Sequence, residues 1–253
     1  QASPNMNAGD LRTRGYEITL AWNDSFSLAR KPFRYGISAS LADSKAKITR
    51  YDNPDKSLSS YIEGRDIGEI WGYHIEGLFR NDAEAAARPI DQSKVNNHIY
   101  NGATGEYRGL KGGDLIYADL DDNGKVDQGD YTLDNPGDLR VIGNSRPRWH
   151  YNFNANLSWY GFDVSLFFQG IGRQHIYPGA NNMMFWGPYA RPYASFIPKT
   201  ILTDVWSEEN PDAYFPRPRG YVAINSGREL SSVNDRYLQN IGYCRLKNLT
   251  FGY

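Results

Sequence analysis

The chain has 253 residues, with 28 Lys and Arg against 29 Asp and Glu and a formal net charge of −1, so nothing in its charge balance suggests a general attraction to nucleic acid or to an anionic lipid surface. Hydrophobic residues make up 40% of it, mean hydropathy is −0.64, and no apolar run approaches the ~18 residues of a membrane-crossing helix. Alternating strands dilute the hydropathy signal, so a β-barrel is not excluded, whereas the lone cysteine, Cys244, excludes an intrachain disulfide.

Residues 1–11 are polar and turn-rich. Tyr16, Ile18, Leu20 and Trp22 then alternate with Glu17, Thr19 and Ala21, the period of a half-apolar strand. A turn region is expected over 23–32, then a second strand in which Phe33, Tyr35, Ile37, Ala39 and Leu41 alternate with Arg34, Gly36, Ser38 and Ser40. From 42 to 147 the alternation is lost. Residues 57–81 read as a short irregular sheet. A short helix is expected over 82–88, with Asp82 as N-cap and Pro89 ending it, and 96–113 is a Gly- and Asn-rich loop.

The cleanest stretch follows, RWHYNFNANLSWYGFDVSLFFQG over 148–170. Trp149, Tyr151, Phe153, Ala155, Leu157 and Trp159 share one parity, against His150, Asn152, Asn154, Asn156 and Ser158 on the other. After a Tyr160-Gly161 turn signal, Phe162, Val164, Leu166 and Phe168 continue the apolar face, with Phe167 the exception among Asp163, Ser165 and Gln169. This is a β-hairpin. Its apolar face would suit the core of a soluble sandwich. Two features favour a membrane barrel: the Asn-rich polar face and the Trp at each end of the apolar one. Trp149 to Trp159 is roughly 33 Å of strand, or ~25 Å of height at a tilt of about 40°, which is the apolar band of an outer-membrane barrel. Residues 171–241 are a second long irregular stretch. A last strand spans 243–253, with a bulge near Lys247-Asn248 to reconcile Cys244 and Leu246 with Leu249, Phe251 and Tyr253. Short turns thus alternate with very long connections, as on the two sides of such a barrel. The first and last residues both read as cuts through a longer protein.

Among motifs that could carry chemistry, DLDDNGKVDQGD over 119–130 is the sharpest. Asp119, Asp121, Asn123, Lys125, Asp127 and Asp130 fall at positions 1, 3, 5, 7, 9 and 12 of a calcium loop, with Gly124 at position 6 where the turn requires it. Lys125 would offer only its carbonyl, and Asp130 replaces the usual bidentate Glu. The expectation is a structural calcium ion stapling a loop; an acidic Asx-turn loop without metal is the alternative. Enzyme signals are weak. His74, His98, His150 and His175 are scattered, Glu63 and Glu208-Glu209 read as solvated loop charges, and Cys244 reads as a small packing residue. In the aromatic stretch 177–196, Trp186, Tyr189 and Tyr193 could stack on a sugar or a partner, or pack the loop itself. Arg217 and Arg219 could face an anion, although a solvated loop is the simpler reading.

Taken together, DLRTRGYEITLAWND, GDLIYADLDDNGKVDQGD, VIGNSRPRWHYNFNANLSWYGFDVSLFFQGIG, LTDVWSEENPDAYFPR and YCRLKNLTFGY resemble, in order, signatures of the SusC/RagA-type TonB-linked outer-membrane transporters. The resemblance covers nearly the whole chain. It implies an all-β fold, namely a late-middle portion of an antiparallel transmembrane β-barrel, with strands near 16–22, 33–41, 149–159, 162–169 and 243–253 and extracellular loops 42–147 and 171–241. It also implies Trp149, Tyr151, Phe153, Leu157, Trp159, Phe162, Val164, Leu166 and Phe168 facing lipid in the outer membrane of a Gram-negative bacterium. The implied function is import of glycans or peptides, not catalysis. The implied partners are a SusD-like surface lipoprotein and TonB, the latter through a part absent from this sequence, and none is a nucleic acid. A soluble calcium-containing carbohydrate-binding β-domain is the other reading.

Overall fold

The computed structural model describes residues 9–95, 109–179, 182–186, 199–217 and 232–253. Five long strands form one antiparallel sheet: β1 (Gly9–Leu28), β2 (Lys31–Tyr51), β7 (Arg148–Trp159), β8 (Phe162–Arg173) and β11 (Tyr243–Gly252), paired in the order β1-β2-β7-β8-β11. Each strand lies beside the next long strand in sequence, so the sheet is an up-and-down meander. At one end its strands are joined by two-residue turns. Ala29 and Arg30 have φ of 49° and 64°, and Tyr160 and Gly161 have φ of 55° and 89°, the left-handed pair that matches the twist of the flanking strands. At the other end the connections are long.

β1 and β2 are 20 and 21 residues long, far beyond the expected 16–22 and 33–41. Period-two hydropathy marks only where one face is apolar; the backbone ladder continues where both faces are polar, through Arg14↔Lys45 on one side and Ser25↔Arg34 on the other. The expected turn region 23–32 therefore contracts to Ala29-Arg30. In β11 the register shifts between Leu246 and Asn248, which brings Leu246 and Leu249 onto one face as the sequence requires.

The two long connections fold on each other. The first contains β3 (Glu69–Gly72), β4 (Ile75–Leu78), α1 (Asp82–Ala87), β5 (Leu115–Tyr117) and β6 (Arg140–Asn144). The second contains β9 (His175–Ile176), α2 (Met183–Trp186), α3 (Ile201–Asp204) and β10 (Gln239–Asn240). Their shared core includes Tyr73, Leu115, Tyr117 and Val126 from the first and Trp186, Trp206 and Tyr237 from the second, all buried. Tyr73 N–H donates to the Val233 carbonyl at 2.8 Å, and Asp235 N–H donates to the Tyr73 carbonyl at 3.1 Å. Asp235 also accepts from Ile75 N–H at 3.0 Å and pairs with His74 Nδ1. Burying so many aromatic side chains, at roughly 1.5–3 kcal/mol each, makes this body the water-excluding core of the described chain.

One capping expectation is corrected. α1 is capped by Asn81, whose Oδ1 accepts from Glu84 N–H at 2.9 Å. Asp82 is the first helical residue; its carboxylate instead accepts from Gly112 N–H at 2.9 Å and meets Lys111 Nζ at 3.1 Å. Asn81 is extended, with φ −158° and ψ 172°, which is the backbone an N-cap needs.

Arg30 has a side chain in a conformation that costs an L-residue roughly 1–2 kcal/mol. Arg30→Gly should raise the urea midpoint by the equivalent of about 1 kcal/mol with an unchanged slope, measured on the folded protein.

Candidate functional site: a two-faced sheet and an acidic loop

Cross-strand register sorts the sheet into rows. Leu20, Ala39, Phe153, Phe168 and Leu246 form one row, and Trp22, Ile37, Ala155, Leu166 and Leu249 the next. Tyr35, Leu157, Val164 and Phe251 follow, then Phe26, Phe33, Trp159 and Phe162 beside the turns. All of these lie on one face. The opposite face carries Thr19, Ser40, Asn152 and Gln169, then Ala21, Ser38, Asn154, Phe167 and Asn248, then Asn23, Gly36, Asn156, Ser165 and Thr250. Thr19 and Ser40 hydroxyls are 2.9 Å apart, and Asn154 Nδ2 donates to Ser38 Oγ at 3.3 Å. Gly36 leaves room between two amides: a Cβ there would fall 2.2 Å from Asn156 Oδ1 and 2.4 Å from Asn23 Oδ1.

The apolar face is open. Leu20 is 71% exposed, Trp22 62%, Leu249 61% and Phe251 66%, and among the described residues no second sheet packs on it. In water such a contiguous surface would be a liability; it has the form of a surface made for another apolar phase. Aromatic rings gather at the turn end, with Phe26 and Phe33 centroids 4.9 Å apart and Phe162 and Tyr253 4.7 Å apart. The band ends at Leu41 and Tyr151. Tyr16 and Trp149 stand at its rim. Trp149 departs from regular strand geometry, with φ +57°, and its ring lies 5.0 Å from the Arg173 guanidinium. Cys244 is exposed, opposite Gly170.

Just past the band, Arg148 of β7 grips Asp43 of β2. Arg148 Nε donates to Asp43 Oδ1 at 2.5 Å, Arg148 Nη2 pairs with Oδ2, and Trp149 N–H donates to Oδ1 at 3.2 Å. Only 6% of the Asp43 side chain and 15% of the Arg148 side chain are exposed. The hydrogen bonds from Arg148 outweigh burial and hold the Asp43 carboxyl down to about 2. The pair fixes the point where β2 and β7 leave the band, a contact between residues far apart in sequence that periodicity could not show.

In the acidic loop, carboxylate oxygens of Asp119, Asp121 and Asp138 lie within 4.8 Å of one another. Asp119 accepts from Asn123 N–H at 3.2 Å and Gly124 N–H at 2.8 Å, and Gly124 takes φ +83°. Of the other loop positions proposed as ligands, Asn123 Oδ1 accepts from Lys125 N–H at 3.0 Å. Asp127 is turned to Lys125 Nζ at 2.7 Å and Gly129 N–H at 2.8 Å, and Asp130 accepts from Asn135 Nδ2 at 2.8 Å. The third converging carboxylate, Asp138, lies outside the twelve-residue motif and was missed for that reason. It is fully buried and accepts from Leu120 N–H at 2.6 Å and Asp127 N–H at 2.8 Å. Burial, with the charges of Asp121 and Asp119, raises its proton affinity. Three carboxylates held this close repel one another, and a dication would relieve that repulsion.

The aromatic expectation is corrected for Trp186, which is 1% exposed. Its indole Nε1 donates to the Gly179 carbonyl at 3.1 Å and its ring meets Tyr237 edge-on at 5.1 Å, so it is a core residue with no face for a ligand. Tyr189 and Tyr193 lie outside the described residues, as does Arg219. Arg217 stacks on the Trp206 ring at 4.9 Å. Glu63, Glu208 and Glu209 are exposed turn residues.

An all-β chain of this kind, with an antiparallel meander and no helix long and apolar enough to cross a membrane among the described residues, has clear relatives. No family model matches it. Across 98% of its length it aligns with three proteins of Formosa agariphila: TonB-dependent receptor P3 at 25% identity, TonB-dependent receptor P39 at 21% and TonB-dependent receptor P26 at 22%. The chain is thus similar to TonB-dependent receptors over nearly its whole length, and it spans 22% to 24% of the length of these relatives.

The Asp43–Arg148 pair has a pH signature. With its carboxyl held below the ordinary 3.8, Asp43 contributes stability that is complete above pH ~4 and disappears as pH falls toward ~2. Asp43→Asn should cost about 3 kcal/mol at pH 7, since it leaves Arg148 without its counter-charge. The urea midpoint of the variant should also fall less than that of the wild type between pH ~4 and ~2.

Proposed function

We propose that this chain is part of an outer-membrane TonB-dependent transporter of the SusC/RagA type in a Gram-negative bacterium, importing glycans or peptides with a SusD-like lipoprotein and TonB. One observation carries the reading: a five-stranded sheet whose exposed apolar face is backed by an amide- and hydroxyl-rich face. Hydrocarbon outside and water within is the environment that suits both. From the Phe26 row to the Tyr16 row is ten residues, roughly 33 Å of strand and ~25 Å of height at a tilt of about 40°, the thickness of an outer-membrane apolar band. The short turns then lie on the periplasmic side, and the co-folded connections face outward, where a nutrient and a lid protein arrive. Loops 42–147 and 171–241 are the extracellular portion in this reading. The nine residues expected at lipid, Trp149 through Phe168, supply its outer surface, and Asn, Ser and Thr supply neutral hydrogen-bonding groups to an aqueous lumen.

Phe153→Arg places a cation on the apolar face near mid-band, in the Leu20 row, at a cost of ~2–4 kcal/mol. Expressed in the full-length receptor, this variant should fail to assemble in the outer membrane, while Asn156→Arg on the opposite face should assemble. Normal assembly of Phe153→Arg, with solubility in the absence of detergent, would favour the soluble carbohydrate-binding β-domain instead.

Calcium enters the proposal as a structural ion. Asp119, Asp121 and Asp138 would hold it, and it would staple the first connection to the shared core. Calcium should raise the thermal midpoint of the wild-type receptor relative to EGTA, and Asp138→Asn should abolish that shift; an EGTA-insensitive wild type would leave an Asx-turn loop held by hydrogen bonds alone.

A further inference from the structure

The outer face of the sheet does not end at the apolar band. Continuing from Ile18 through Tyr16 on the same parity, β1 presents Arg14 and then Arg12. Their partners in register are Lys45 and Lys47 of β2. Two successive cross-strand pairs are therefore cation opposite cation, an arrangement that is destabilising unless something anionic lies between or above them. All four side chains are exposed. Of these four, Lys45 alone has an ion pair among the described residues, a long one of 3.6 Å to Asp66. Asp43, cross-strand from Tyr16, is already taken by Arg148. A cleft of about 690 Å³ lies along these residues and reaches down to Tyr16 at the rim of the apolar band.

Height decides what such a cluster meets. Arg14 and Lys45 lie two residues beyond the Tyr16 row, ~5 Å further along the membrane normal at a tilt of about 40°, and Arg12 and Lys47 lie ~10 Å beyond it. The first pair lies within the polar headgroup layer, roughly 5–8 Å thick on each side of the hydrocarbon, and the second lies just past its outer edge, within reach of it through long side chains. Because it is on the side of the long connections, the layer is that of the outer leaflet.

We propose that Arg12, Arg14, Lys45 and Lys47 bind the phosphate groups of a phosphorylated glycolipid in the outer leaflet, whose acyl chains lie down the adjoining apolar face over Ile18, Leu20 and Trp22. Two guanidinium groups supply bidentate donors for phosphate oxygens, and two ammonium groups add charge. This inference rests on the membrane-barrel reading above and deepens it by naming a lipid.

The test uses the full-length receptor in detergent micelles doped with bis-phosphorylated lipid A or with its dephosphorylated form, with binding followed by tryptophan fluorescence at rising ionic strength. The wild type should bind the phosphorylated form about tenfold more tightly, with a preference that weakens as salt is added. The fourfold variant R12Q/R14Q/K45Q/K47Q should lose the preference, while Lys56→Gln, in the long connection and paired with Asp134, should keep it. If the fourfold variant does not assemble, the pairs R12Q/K47Q and R14Q/K45Q are each expected to weaken the preference severalfold. A receptor that assembles in membranes but shows no preference, or whose preference survives these changes, overturns the lipid assignment alone and points to carboxylates of a neighbouring strand as the counter-charge. A wild type that does not enter micelles or membranes overturns the barrel reading and the lipid site together.

Discussion

The constraint on which this chain depends is that a sheet with no second layer must draw its stability from its own ladder and from whatever fluid covers each face. Between paired strands the backbone N–H and C=O groups are satisfied by their neighbours, so the interior of the ladder tolerates any surroundings. The side chains do not. Leu20, Trp22, Leu249 and Phe251 stand open, and a few ångströms away, through the thickness of one backbone, lie Asn154 and Asn156. No single solvent suits both populations. The partition between them is kept without error along β7 from His150 to Trp159 and is restored in β11 by one extra residue at the Leu246–Asn248 shift.

The outer edges of the sheet follow from the same constraint. β1 and β11 each have a partner on one side only, and their other edges present unpaired backbone groups. In hydrocarbon such groups must be satisfied within protein, which in the transporter reading means pairing with further strands. The Asp43–Arg148 pair and the type of turn at Ala29-Arg30 and Tyr160-Gly161 then do local work at the two ends. One pins the strands where they leave the band, and the other returns them with no slack.

Much of the sheet was legible because period two is a one-dimensional signal: Trp149 through Phe168, Tyr16 through Trp22 and Phe33 through Leu41 state their faces directly. The lengths of β1 and β2 were not legible, since Arg14, Lys45 and Ser25 carry no apolar contrast while their backbone still pairs. The loops were illegible for the opposite reason. Trp186 reads as a ligand-stacking aromatic until Tyr237, Phe185 and Phe215 are seen around it, because nothing in a sequence without periodicity says which aromatic meets which. The acidic loop was half legible. Asp119, Asp121 and Gly124 kept motif spacing and motif geometry, but Asp138 arrives through a turn of the chain that no spacing rule anticipates, while Asp127 and Asp130 are drawn away by Lys125 and Asn135.

The common core of the two long connections has an evolutionary consequence. Tyr73 and Tyr117 come from one, Trp186 and Tyr237 from the other, and all four belong to one buried cluster. Neither connection can therefore drift alone. A change that enlarges or shrinks one side of that aromatic cluster must be matched on the other, so such chains would diversify by exchanging the two segments as a set, and chimaeras that graft only one of them would inherit a mismatched interior.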